Sequence, residues 1–185
     1  MTFELIEKKY LKNINTNAYL YEHVKTRARL VFFENDDINK SFSISFKTIP
    51  YNDNGIFHIL EHSVLCGSAK YPVKEPFVEL LEILMDIYLD AVFNPNLKNN
   101  PNILAQEGWH YHLEDKEDEL IYKGVVYNEM KGAYSSVDEV LDQYVTEHLF
   151  SDTSYKYSSG GKPEAIPSIT QEEFLETAIS FYMVI

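Results

Sequence analysis

A single cysteine, Cys66, among 185 residues rules out an internal disulfide and any metal cluster built on several thiolates. Glycine and proline are scarce, seven of each, which argues against a fibrous or disordered chain. Basic residues are also few: 16 Lys and Arg stand against 29 Asp and Glu, for a formal charge of −13. Nucleic acid and anionic membrane surfaces both call for clustered cations, so neither is an expected partner, whereas basic peptides are attracted. No run of 18 apolar residues occurs, so no segment is read as a membrane-spanning helix. The opening stretch Met1 to His23 lacks the apolar stretch of a secretory signal and is neither Arg-rich nor free of acids. A reducing, cytoplasmic location is the expectation.

What is present is a hydrophobic share of 45%, with 14 Tyr and 11 Phe, enough for one core, and one domain over residues 1–185 is expected. Ala18 to His23, Arg29 to Phe33 and Phe42 to Ile49 are rich in β-branched and aromatic residues and read as antiparallel strands. The cluster Asn52-Asp53-Asn54-Gly55 is a turn whose Asn or Asp caps a helix over Ile56 to Leu65, stopped by Cys66-Gly67. Apolar residues from Phe77 to Val92 recur at three- and four-residue steps and predict a long helix, Glu75 to Phe93. A loop over Asn94 to Asn102, a strand Trp109 to Leu113 and an acidic turn Glu114 to Glu119 follow. Helices are expected near Tyr122 to Ser135 and Val137 to Phe150, and a last one opens on the capping pair Thr170 and Glu173. That last helix receives no stop signal before Ile185, which reads as truncation. The fold class expected is α+β, an antiparallel sheet with helices packed on one face.

One constellation stands above background. In His58-Ile59-Leu60-Glu61-His62, at 100° per residue, His58, Glu61 and His62 fall within one arc of about 100° on a helix. Zinc takes neutral imidazole nitrogens at about 2.0–2.1 Å and, with one carboxylate as third ligand, keeps a fourth position open for water. A carboxylate just outside that shell can take the water's proton, and Glu61 is placed for it. The order His-x-x-Glu-His inverts the commoner His-Glu-x-x-His motif. Chance alone yields it in on the order of two chains per hundred of this composition, so the bare motif leaves open that both His are ordinary semi-buried residues. A third ligand has to come from elsewhere. Glu129, flanked by Val125, Val126 and Met130, is either such a partner or a helix Glu facing solvent.

The run from Gly55 to Ser68 (GIFHILEHSVLCGS), with Lys70 to Phe77 (KYPVKEPF), resembles the presequence-protease branch of the pitrilysin and insulinase zinc metallopeptidases. Tyr88 to Pro95 (YLDAVFNP), Gln106 to Tyr111 (QEGWHY) and Tyr122 to Ser136 (YKGVVYNEMKGAYSS) resemble it as well, in the same order. The resemblance implies that His58, His62 and Glu129 bind Zn²⁺, that Glu61 is the catalytic base, and that the reaction is hydrolysis of short, unstructured peptides. It also implies an incomplete α/β-roll half-domain: a strand-containing stretch that relatives carry is missing near residues 82–84, and further C-terminal domains are absent. The missing stretch includes a sheet edge for the substrate, and strand addition needs such an edge. Two readings follow, a metalloendopeptidase domain or a truncated, inactive chain that binds zinc or a partner.

Other candidates are weaker. His110 and His112 share a face of the expected strand Trp109 to Leu113 and form a lesser metal candidate, while Cys66 reads as a buried, inert thiol.

Overall fold

The computed structural model describes residues 2–72 and 81–182. It divides into two compact units, Met1–Ser43 and Ile44–Val184. Strands and helices are both present, so the α+β class expected from the sequence is the one observed.

The first unit is an antiparallel meander in the order β1 (Phe3–Leu11), β2 (Thr16–His23), β3 (Arg29–Glu34). A short 3-10 turn, Lys12–Ile14, joins the first pair and ends on Asn15 in the left-handed region at φ 47°, where the Tyr10 hydroxyl donates to Asn15 Oδ1 at 2.6 Å. Asparagine tolerates that conformation better than most residues. The expected strands at 18–23 and 29–33 are thus found, each slightly longer. β1 is an addition, and its pairing slips between Leu5 and Glu7, where a bulge breaks the alternation. Every residue of β3 is exposed, and so is all of β1 except Leu11, leaving Leu5, Ile6, Tyr10, Val31, Phe32 and Phe33 open on the sheet.

The strand expected over Phe42 to Ile49 is not there: those residues are irregular. Alternation specifies which face of a strand would be apolar but supplies no partner ladder, and backbone groups without one do not make a strand. Phe46 packs edge-on against Phe93, with ring centroids 6.3 Å apart.

The second unit is built around α1 (Ile56–Val64), whose Ile56, Ile59 and Leu60 are buried. The helix starts as the sequence suggests, although the cap residue is Gly55 and the side chain of Asn54 does the accepting, from the Ile56 N–H at 3.2 Å. Gly55 stands at φ 68°, and a Cβ there would lie 2.5 Å from the Gly160 carbonyl oxygen. Only glycine suits both demands.

α2 (Leu81–Phe93) is the described part of the predicted Glu75–Phe93 helix; residues 75–80 lie outside the described residues. Within the loop expected at Asn94 to Asn102 is a 3-10 turn, Asn96–Lys98, and Leu104–Gly108 forms a π-helix that the sequence does not announce. β4 (His110–His112) then pairs with β5 (Ile121–Lys123) across the acidic turn. The helix expected from Tyr122 begins later, as α3 (Val125–Ala133): Tyr122 and Lys123 belong to β5. Gly124 separates the two elements because the chain there presses against the Gly108 carbonyl, where a Cβ has no room.

α4 (Val137–Leu149) is capped by Ser136, and α5 (Gln171–Tyr182) by Thr170, whose Oγ1 accepts the Glu173 N–H at 3.1 Å. The reciprocal half of the expected capping box is used differently: Glu173 Oε1 accepts from Asn54 Nδ2 and from the Tyr51 hydroxyl, each at 3.3 Å. That ties the start of α5 to the approach of α1. Val126 and Met130 of α3, Phe174 and Ala178 of α5, and Leu104, Ile166 and Ile169 close the core around α1.

Candidate metal centre

Because Ile56, Ile59, Leu60, Ser63 and Val64 occupy the buried side of α1, the polar positions His58, Glu61 and His62 emerge together away from it. They do: one ligand atom from each lies within 4.8 Å of the others, and the two imidazole centroids are 4.9 Å apart. The periodicity argument for this trio is met in three dimensions.

α3 adds the fourth residue by the same logic. Val126 and Met130 are buried, which turns Glu129 away from the core and toward α1. Its Oε2 stands 3.7 Å from His58 Nε2 and 3.6 Å from His62 Nε2. Glu61 Oε2 lies 3.7 Å from His62 Nε2. Ligand atoms at about 2.0–2.1 Å from a tetrahedral metal are roughly 3.3–3.4 Å apart, and the two gaps from Glu129 to the imidazoles exceed that by a few tenths of an ångström. Two nitrogen donors with carboxylate oxygens on an accessible face are a donor set suited to zinc. The Glu129 and Glu61 side chains are 53% and 70% exposed, so the face is open to water and to a ligand.

The far side of each ring also faces an oxygen. His58 Nδ1 is 3.0 Å from the Gly160 carbonyl oxygen. A carbonyl only accepts, so Nδ1 is the nitrogen that donates there and Nε2 is the one turned toward Glu129. Gly160 is held by its loop: Asp53 accepts the Ser158 N–H at 2.8 Å and, through its carbonyl, the Lys162 N–H at 2.7 Å. Lys162 Nζ reaches Glu147 at 3.1 Å and Asp53 at 3.4 Å. Burial alone would lower the Lys162 pKa, but these two carboxylates raise it above the ordinary lysine value. On the other ring, His62 Nδ1 is 3.9 Å from Oε2 of Glu107, a residue only 3% exposed.

Gly160 and Glu107 are the two site residues to which sequence reasoning assigns no role. Glu107 lies inside the QEGWHY stretch, and an acid between Leu104 and Trp109 was the available signal; nothing local marks Gly160. His110 and His112 face each other at 6.0 Å between centroids, but His110 Nδ1 is spent on the Ala105 carbonyl at 2.6 Å. Among the described residues no third ligand joins them. Cys66 is half-buried, with Sγ donating to Glu107 Oε1 at 3.2 Å.

No family model matches the chain. It is similar to Protein HypA of Clostridium perfringens, 46% identical over 97% of this chain and 22% of that protein. It is 41% identical to presequence protease 1, chloroplastic/mitochondrial, of Arabidopsis thaliana, over 97% of this chain and 19% of the relative. The mitochondrial presequence protease of Schizosaccharomyces pombe is 35% identical over 97% of this chain and 21% of its own length. The resemblance read from the motifs therefore holds along nearly the whole chain, which spans about a fifth of the curated relatives it matches. The alignment with HypA runs over 209 positions against 185 residues here, so that relative carries residues with no counterpart in this chain.

Proposed function

We propose that this chain is the zinc-binding part of a metalloendopeptidase that hydrolyses short, unstructured peptides. The observation that carries the reading is the convergence of Glu129 Oε2 on both Nε2 atoms, at 3.7 and 3.6 Å, from a helix remote in sequence. Glu129 is half-exposed, yet its carboxylate approaches both imidazoles rather than extending into solvent. In this reading His58, His62 and Glu129 hold Zn²⁺, and Glu61 stays outside the first shell.

Bound zinc supplies a Lewis acid that lowers the pKa of a coordinated water toward about 7. The chain's own part is to present the ligands and move a proton. Glu61, exposed and one position before His62, takes the proton from the attacking water and returns it to the leaving amine. Gly160 fixes the tautomer of His58 so that Nε2 is free to bind. The −13 charge favours basic peptides as substrates by long-range attraction.

A second reading, a zinc-binding or partner-binding chain without turnover, is supported by the alignments: their surplus of positions over the residues of this chain is what a segment missing near residues 82–84 would produce. Holding the scissile carbonyl in place contributes roughly 7–11 kcal/mol of barrier lowering. Losing half of it costs about three orders of magnitude at 1.36 kcal/mol per factor of ten. Cleavage of a quenched, basic, unstructured peptide with added zinc separates the two. Turnover by the unmodified chain that is stopped by a chelator and absent in Glu61→Gln establishes the peptidase; zinc binding without turnover establishes the second reading.

A further inference from the structure

Each imidazole of the centre has its second ring nitrogen turned toward an oxygen, but the two oxygens differ in kind. His58 meets a neutral carbonyl, Gly160, at 3.0 Å, whereas His62 Nδ1 faces the carboxylate of Glu107 at 3.9 Å. Glu107 is among the few buried polar or charged residues described, with a side chain 4% exposed. A carboxylate so deeply placed is costly unless other groups compensate it. The Cys66 thiol, which donates to its Oε1 at 3.2 Å, is one of the groups that accompany it.

The backbone places Glu107 there by an unusual route. It belongs to the π-helix Leu104–Gly108, in which Leu104 and Gly108 are buried, and a Cβ on Gly108 would stand 3.2 Å from Ile59 Cδ1 of α1. The π-helix therefore lies directly against the face of α1 behind His62. π-turns are rare and recur at functional sites, where the wider ring re-aims a side chain.

We propose that Glu107 is a positioning residue for His62: its buried carboxylate holds the Nδ1–H tautomer, keeps Nε2 turned toward Glu129, and makes that nitrogen a stronger donor to a metal. The inference deepens the metal-centre reading above and rests on it for the identity of the ion. It extends the ligand-bearing unit from two helices to three elements: α1, α3 and the π-helix.

The test uses the full chain with Glu107→Gln, Glu107→Leu and, as a control for local packing, Cys66→Ser. Long-range proton–nitrogen NMR of the metal-free proteins reads the His62 tautomer directly. The Nδ1–H form is expected in the unmodified chain and in Cys66→Ser, with a shift toward Nε2–H in Glu107→Leu. Competition with a chromophoric chelator reads Zn²⁺ affinity, expected to fall about tenfold in Glu107→Gln and toward a hundredfold in Glu107→Leu, the range for such outer partners. The visible spectrum of bound Co²⁺ is expected to change in both. A role in packing alone would alter thermal stability and leave the tautomer and the Co²⁺ spectrum as they were, and that result overturns the inference. A chain that binds no zinc yet loses the tautomer with Glu107 overturns the metal-centre reading and upholds this one. Zinc bound equally by every protein, with one tautomer throughout, does the reverse.

Discussion

Glu129 Oε2 lies 3.6 Å from His62 Nε2, joining α3 to α1 at the one point where both helices turn a polar residue away from a shared core. The same packing that buries Val126 and Met130 beside Ile59 thus sets the gap between a carboxylate and an imidazole.

If Glu129 is a ligand and Glu61 is the base, exchanging each for its amide should separate them. The unmodified chain is expected to retain about one zinc ion after dialysis, and Glu61→Gln the same, whereas Glu129→Gln loses most of it, because an amide is a far poorer zinc donor than a carboxylate. Emission spectrometry of the three proteins is the measurement. Equal zinc in all three removes Glu129 from the ligand set.

Gly55 links the fold to the site. It adopts φ 68°, and its close approach to Gly160 brings the carbonyl that supports His58 into place. Gly55→Ala is expected to cost about 1–3 kcal/mol in strain and to displace the Gly160 loop. Thermal unfolding should show the loss of stability, and chelator competition a weaker hold on zinc. Unchanged zinc affinity in a destabilised protein would separate the Gly160 carbonyl from the metal site.

The half of the centre on α1 is legible in the sequence because helical periodicity is local: His58, Glu61 and His62 need only their own helix. Glu129 is not legible in that way, since which face of α3 meets α1 depends on packing, and only the resemblance points to it. Gly160 and Glu107 depend on a loop and a π-helix that carry no periodic signal. The fold shows the same division. β2 and β3 follow from their composition, whereas β1 is hidden by Glu7-Lys8-Lys9 and by a bulge that breaks its alternation. Phe42 to Ile49 alternates convincingly and still forms no strand, because pairing is a property of the partner. The apolar run around Tyr122 reads as helix until Gly124 is seen wedged against Gly108.

Phe174 is fully buried in the core cluster that includes Ile56 and Ile59 of α1. Phe174→Ala is expected to destabilise the second unit by about 3–5 kcal/mol, a large part of the roughly 5–15 kcal/mol that holds an ordinary domain. Urea unfolding followed by tyrosine and tryptophan fluorescence measures it. A shift below 1 kcal/mol would mean that α5 contributes little to the core around α1.

Asp90, near the end of α2, is one of the carboxylates through which acid is expected to act on stability. Its Oδ2 accepts from the Ser68 hydroxyl at 2.6 Å and from the Lys70 N–H at 2.9 Å, and its Oδ1 accepts from Asn94 Nδ2 at 2.9 Å. The Ser68 hydrogen bond is the main reason that its pKa falls below the ordinary carboxylate value; the Lys70 N–H, Asn94 and the Lys70 charge add to this and partial burial opposes it. A depressed folded-state pKa means that the unfolded chain takes up the proton first as pH falls. The stabilisation is therefore complete above the unfolded value, about 3.9, and is lost as pH drops through the lower folded one. Asp90→Asn removes that titration. It is expected to lower stability at neutral pH and to flatten the dependence below about pH 4, so that the two proteins converge in acid. Thermal midpoints from pH 7 down to pH 2 are the measurement. A constant gap between the two proteins over the whole range would show that Asp90 acts through shape rather than charge, and that the Ser68 to Lys70 turn does not depend on its carboxylate being ionised.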